Sequence, residues 1–323
     1  MKRWYRFLAL ALAAVGLASA RAGAWHGKGH HVATTLAVEA VGGKLPAFFG
    51  AGAAGVAHCS LDPDLFTRPI APEPLHSAEA SEHYFDVELL AGTCRLEDLP
   101  ATRYEYIELC ARHGLKPNKI GLLPYAVAEW TQRLTVAFAE HRAYPDNPHV
   151  RGKCLVYAGI LAHYAQDLCQ PLHVTVHWDG RAKPDGSSPR SGIHAKVDAL
   201  LGKLHVDRRG VLGGIKIAAL DKLAPGVLAE IRRSHALVEA VYAMEKQVPA
   251  MTDPLPPDSD VGRFAAERLR ACVRFTASLY LTAWRDSAAI KAKLPKWYHR
   301  PYDPPPKQRA ASPPAAAEAK RRP

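Results

Sequence analysis

His163 and Asp167 stand four residues apart in the apolar run Leu155–Leu168. On a helix that spacing puts both side chains on one face, one turn apart. Pro171 stops such a helix, because it has no N–H and disfavours the α region for the residue before it. His173 therefore leaves from the loop just beyond. His194 and Asp198 repeat the four-residue spacing at the start of a second helical stretch, Gly192–Leu204. Three imidazoles and two carboxylates in one segment make a metal-ligand set of the kind zinc takes. One His/Asp pair at this spacing is usually a surface ion pair. Two pairs, one of them on a helix apolar enough to be buried, are different, because a buried carboxylate needs a partner or a metal.

The elements that must position these groups are read as helices. Apolar residues at Val127, Trp130, Leu134 and Phe138 predict an amphipathic helix over Tyr125–Arg142. Val32–Val41, Gly152–Leu168, His194–Leu204, Ala224–Gln247 and Asp260–Leu294 are expected to be helical as well. Gly50–Gly55 reads as a Gly/Ala-rich loop, and His58–Arg68 as an irregular, turn-forming stretch. Ser81–Glu88 alternates like a strand but is short and isolated, so it is read as an extended loop. Val174–Ser191, with Asp179-Gly180 and Pro184-Asp185-Gly186, is expected to be a flexible loop bordering the site. After Trp297 the sequence turns to Pro, Ala and Lys/Arg, a composition that cannot bury enough apolar surface to fold. No internal repeat and no second domain is apparent. The expectation is one all-α domain over residues 25–298 with long irregular loops, and a disordered tail over 299–323.

Composition bounds the setting. Of 323 residues, 48% are hydrophobic, enough for a sizeable core. Residues 1–24 read as a secretory signal: Lys2, Arg3 and Arg6, an apolar run from Phe7 to Ala20, then Ala22-Gly23-Ala24 as a cleavage site. That run is too short to span a bilayer comfortably. A secreted or periplasmic soluble protein is expected, cut between Ala24 and Trp25. Six cysteines, Cys59, Cys94, Cys110, Cys154, Cys169 and Cys272, fit an oxidising compartment and allow disulfides whose pairing the sequence does not choose. None forms a C-x-x-C pair, which argues against a thiolate zinc site. The formal net charge is +11, and removing Lys2, Arg3, Arg6 and Arg21 with the signal leaves about +7. A mildly basic chain suits nucleic acid or an anionic membrane surface, though only weakly.

With Trp25, His30, Asp64, His83, His163, Asp167, His173, His194 and Asp198 in that order, the chain resembles the zinc-dependent phospholipase C / S1–P1 nuclease superfamily. The resemblance covers most of the mature domain, and its specific part is this ligand series. It implies an all-helical secreted phosphodiesterase with three zinc ions in a cleft, acting as a monomer with no obligate protein partner. It further implies that Asp64, His83 and His163 hold one zinc, with Asp167 bridging to a second completed by His30 and the amino and carbonyl groups of Trp25. His173, His194 and Asp198 would hold the third. Two zinc ions sharing a carboxylate sit roughly 3.5–4 Å apart and lower the pKa of water toward about 7, so that a hydroxide attacks phosphorus with Asp167 at the catalytic centre. Signal cleavage is then part of activation, because the Trp25 amine exists only after the cut.

Alternatives stay open at several positions. His26 and His31 compete with His30, Asp62 competes with Asp64, and His76 competes with His83. Tyr84 and Asp86 are expected to border the substrate, since aromatic faces stack on bases; packing beside His83 is the competing role. Arg68 is placed to meet a phosphate. Three functions are carried: a nuclease cleaving single-stranded nucleic acid, a phospholipase C acting on phospholipid, and a zinc-stabilised binding protein without turnover. The close Trp25–His30 spacing, the long insertion between His173 and His194, Asp at 198 and the basic charge favour the first.

Overall fold

The computed structural model describes residues 25–290. The expected signal and the expected tail lie outside them. The helices that position the site are α1 (Gly27–Val41), α2 (Ala53–Cys59), α3 (Asp62–Phe66), α4 (Glu73–Glu79), α5 (Arg103–Arg112), α6 (Leu123–Ala143), α7 (Pro148–Asp167), α8 (Ile193–Asp198), α9 (Leu223–His235) and α10 (Asp260–Ile290). The fold is all-α: 67% helix, with no strand among the described residues.

The centre of the bundle is α7, which packs against α6, α2 and α10, with α1 laid across α2 and α10. Its start follows from local chemistry: Asn147 accepts from the backbone N–H of His149 and Val150, and Pro148 occupies the first turn, where no N–H is needed. Its close approach to α2 depends on Gly159. A Cβ there would meet the Cys59 Cβ at 2.5 Å and the Val56 carbonyl oxygen at 2.6 Å. Helix α7 ends at Asp167, and Pro171–His173 form a 3-10 turn. One cluster of buried apolar side chains runs from Trp25 through Leu161 and Leu168 to Ala283.

Several expectations need correction. Ala53–Cys59 and Asp62–Phe66 are helical, as α2 and α3 with a two-residue turn between them, rather than loop and irregular turn. Pro63 sits in the first turn of α3 and Asp62 and Asp64 carry negative charge there, a favourable match to a helix N-terminus. The expected helix Ala224–Gln247 is broken after His235 and resumes as Val238–Ala243 and a 3-10 turn. The expected helix His194–Leu204 is likewise split, into α8 and a short turn at Leu200–Lys203. The loop after His173 is not free: Thr175 and Val176 donate to Glu88, and the Gly180 N–H donates to the Tyr242 hydroxyl. The cysteines form no disulfide. All six are free thiols, with Cys110, Cys154, Cys169 and Cys272 buried. No described helix is long and apolar enough to cross a membrane.

Candidate metal centre

Four helices and two turns deliver eight imidazole and carboxylate side chains to two neighbouring groups. Helix α7 supplies His163 and Asp167, both fully buried, one turn apart as the sequence spacing requires. From α1 comes His30, whose ring stacks on that of His163 with centroids 4.0 Å apart. Asp64 enters from α3, and His83 from the 3-10 turn Ala80–His83 that follows α4. Around Asp167 the distances are 3.3 Å to His30 Nε2, 3.0 Å to His83 Nδ1 and 3.3 Å to His163 Nε2. The second group joins His173, from the turn past Pro171, to His194 and Asp198 of α8. His194 Nε2 lies 3.1 Å from Asp198 and His173 Nε2 3.9 Å from it. Their rings stack at 4.9 Å.

The potential ligand atoms fall into three sets, His30/Asp64/His163, His83/His163/Asp167 and His173/His194/Asp198, with the atoms of each set within 4.8 Å of one another. Asp64 thus groups with His30 and His163 rather than directly with His83. The two neighbourhoods are stitched by backbone: the Phe85 N–H donates to the His173 carbonyl at 2.8 Å, and His173 Nδ1 meets the His83 carbonyl at 2.5 Å.

The hydrogen bonds around each ring dictate which nitrogen is left for a ligand. His30 Nδ1 is held by Gln166 Oε1 at 2.8 Å, His163 Nδ1 by the Ser60 carbonyl at 2.8 Å, and His194 Nδ1 by the Trp178 carbonyl at 3.1 Å. With His173 on the His83 carbonyl, four rings are held through Nδ1 and turn Nε2 inward, unbonded on His30, His173 and His194 and 3.1 Å from His83 Nδ1 on His163. Carbonyl acceptors behind metal-binding histidines fix the tautomer in this way. His83 is reversed, with Nδ1 toward Asp167 and Nε2 toward Glu79 at 3.6 Å. Gln170 donates to Asp198 at 2.7 Å and leaves the other carboxylate oxygen open.

A second observation tests whether metal fits. Buried polar side-chain atoms nearly always find a partner. Here His30 Nε2, Asp64 Oδ1, His83 Nε2, Asp167 Oδ1, His173 Nε2, His194 Nε2 and Asp198 Oδ2 are buried without a hydrogen bond. Such a concentration of unbonded imidazole and carboxylate atoms at buried positions suits a cation, once His83 gives up its proton. These buried groups can therefore hold metal ions.

Charge within the groups is strongly coupled. Burial pushes the Asp167 carboxyl up, but His163, His30 and His83 outweigh it and hold the group well below the usual carboxylate range. Burial lowers His83, yet Asp167 and Glu79 raise it to about 10. His173 is carried by burial down to about 4. A metal entering beside Asp167 must therefore displace protons, whereas His173 is already a neutral ligand at neutral pH.

The open positions resolve as follows. His30 is fully buried in the group, while His26 is half-buried and His31 exposed. Asp64 rather than Asp62 reaches the ligand sets. His83 is in the group, and His76 lines a groove beside it. Trp25 is buried, and its indole N–H donates to the Gln166 carbonyl at 3.0 Å, one residue from Asp167. The groove, of about 610 Å³, is lined by Tyr84, His76, Asn118, Lys119, Trp178 and Arg190 among others. The Tyr84 hydroxyl donates to the Asn118 carbonyl at 2.6 Å. Gly121, at φ +108°, lets that backbone pass where a Cβ would meet the Tyr84 carbonyl. Asp86 is buried and Arg68 is exposed, and neither lines this groove.

Sequence reasoning missed Ser60, Glu79, Gln166, Gln170 and Trp178. Glu79, four residues before His83 and bonded to the Tyr164 hydroxyl, repeats the i, i+4 signal and was findable. Ser60 and Trp178 act through backbone carbonyls, for which residue type carries no signal. No family model matches this chain, and no curated protein matches it.

Proposed function

We propose that this chain is a zinc-dependent phosphodiesterase of the phospholipase C / S1–P1 nuclease type, exported and then cut before Trp25, with single-stranded nucleic acid as its substrate. The observation that carries the reading is the adjacency of two buried His/Asp groups whose unbonded ligand atoms converge. Three zinc ions are assigned: two around His30, Asp64, His83 and His163, with Asp167, whose two oxygens face His30 and His83/His163, bridging them, and a third at His173, His194 and Asp198. Bound there, the ions supply the Lewis acidity that activates a water against phosphorus and steadies the leaving oxygen.

The protein's own part is positional. Ser60, Gln166, Trp178 and the His83 carbonyl aim the ligand nitrogens, and the apolar packing of α7 against α6 and α10 keeps bulk water from the helix side. Nucleic acid is favoured over lipid by the groove. Its lining combines the aromatic residues Tyr84 and Trp178 with the cationic Lys119 and Arg190, the residue types that sites for single strands use. Trp178 is next to the second group, its ring edge-on to His194 at 5.6 Å.

The test is hydrolysis by purified, signal-cleaved protein, with and without chelator, of single-stranded DNA, RNA and phosphatidylcholine vesicles. Chelator-sensitive cleavage of DNA or RNA is expected. Cleavage of lipid alone would move the assignment to phospholipase C, and zinc binding with no turnover on any of the three would leave a binding protein.

A further inference from the structure

A second pocket, of about 560 Å³, lies between α9, α10 and the segment Gly214–Lys216, and none of its lining residues belongs to the metal-ligand groups. Its charge is unbalanced. Lys216, Arg233, Arg268, Arg270 and Arg274 face it, against Glu230 and Glu267 alone. Glu230 is buried and already engaged, accepting from Arg233 at 2.9 Å and from Arg274 at 3.5 Å. Arg270 gives its donors to the carbonyls of Gly210, Val211 and Gly213, at 2.6 to 3.0 Å, which fixes the guanidinium without neutralising it. No ion pair joins Lys216, Arg268 or Arg270 to a carboxylate among the described residues.

Two further features point to a ligand. Arg268 Nε is buried and has no hydrogen-bond partner, an expensive state for a donor on a charged group. Arg270 and Arg274 are four apart on one helix face, where like charges destabilise the helix. An anion seated among them relieves the repulsion and gives the terminal nitrogens of Arg268 an acceptor, the buried Nε itself lying out of its reach. Guanidinium forks match the oxygens of a phosphate in pairs, which a halide or a lone carboxylate exploits less fully.

We propose that this pocket binds a small phosphate-bearing anion, with Arg268 as its central donor and Lys216 and Arg270 as flanking charges. The proposal is independent of the function assigned to the metal centre. Free orthophosphate and the terminal group of a phosphomonoester share the chemistry, and the experiment separates them.

The test is calorimetric titration, at fixed ionic strength, of orthophosphate and of glycerol phosphate into chelator-treated and metal-loaded protein, with chloride as the control. The same metal-independent phosphate site is expected in both forms, in addition to any phosphate bound at the metal centre of the loaded one. Arg268→Gln should weaken it at least about tenfold, the effect of losing one charge-assisted hydrogen bond. Lys216→Gln, at an exposed side chain, should weaken it by a smaller factor, and Asp198→Asn should leave it unchanged. Circular dichroism checks that Arg268→Gln folds; if it does not, Lys216→Gln decides. Tighter binding of glycerol phosphate marks a phosphomonoester site, and equal or tighter binding of orthophosphate marks free phosphate. Absence of binding to the wild type, binding unaffected by the decisive variant, or binding that needs metal and vanishes in Asp198→Asn overturns the proposal.

Discussion

Asp167 is the residue on which three imidazoles converge, and its two oxygens face different partners, His30 on one side and His83 and His163 on the other. If it is shared between two metals, Asp167→Asn should remove both while keeping the side chain's volume. Elemental analysis of the purified variant should then find about a third of the zinc of the wild type, with hydrolysis reduced at least about a hundredfold, beyond the usual effect of altering an outer partner. Undiminished zinc in the variant would refute the shared role. At this scale the sequence was legible wherever type and spacing carry the information: His163/Asp167 and His194/Asp198 lie on single helix faces. It was not legible where a backbone oxygen does the aiming, as at Ser60 and Trp178. Nor could spacing reveal that Arg68 stays exposed in the turn after α3, away from the groove.

Between elements, the Glu88 carboxylate ties the turn Val87–Leu90, the loop after His173 and α9 together. It accepts from Thr175, from the Val176 N–H and from His235, the last at 2.7 Å. Burial raises the Glu88 carboxyl, but His235, Thr175 and Val176 pull it down to about 2, and the carboxylate in turn raises His235. Glu88 thus contributes stability that is present above its unfolded value of about 4.3 and lost as pH falls toward 2. The His235 contribution is present below about 6.5 and lost as pH rises through its raised folded value. Urea unfolding should therefore find Glu88→Gln less stable than wild type by about 1 kcal/mol between roughly pH 4.5 and 6.5. The gap should narrow on either side; a pH-independent gap would remove the ion pair from the account. The same junction explains why Ala224–Gln247 misleads as one helix. Its period is continuous and lacks Gly or Pro near the break. However, Glu239 pairs with Arg181, and the Tyr242 hydroxyl bonds the His177 carbonyl, drawing the second half toward a loop some sixty residues earlier. Long-range partners, rather than local propensity, set that boundary, whereas α6, α7 and α10 are long enough for their period to decide.

For the whole molecule, the two ligand groups gather residues from α1, α3, α7, α8 and the turns at His83 and His173, most of them far apart in the chain. The apolar core already holds α1, α6, α7 and α10 together. Removing metal should therefore not unfold the bundle. It should instead leave protonated imidazoles and bare carboxylates buried side by side, at a cost concentrated where α3, α8 and the two turns meet α7. A ligand bound only by the folded state stabilises it by about 2.7 kcal/mol at a hundredfold excess over its dissociation constant. For a chain of this size each kcal/mol moves the midpoint by about 2–4 °C. Chelation should then lower the thermal midpoint by roughly 5–10 °C while far-ultraviolet circular dichroism at 25 °C keeps its helical signal, and stoichiometric zinc should restore the midpoint. Hydrogen exchange would locate the loss, with faster exchange at residues 58–66, 80–90 and 171–198 and little change in α6 and α10. A midpoint indifferent to chelator and zinc would mean that the converging imidazoles and carboxylates are held by the fold alone, and the metal centre would have no place in this protein.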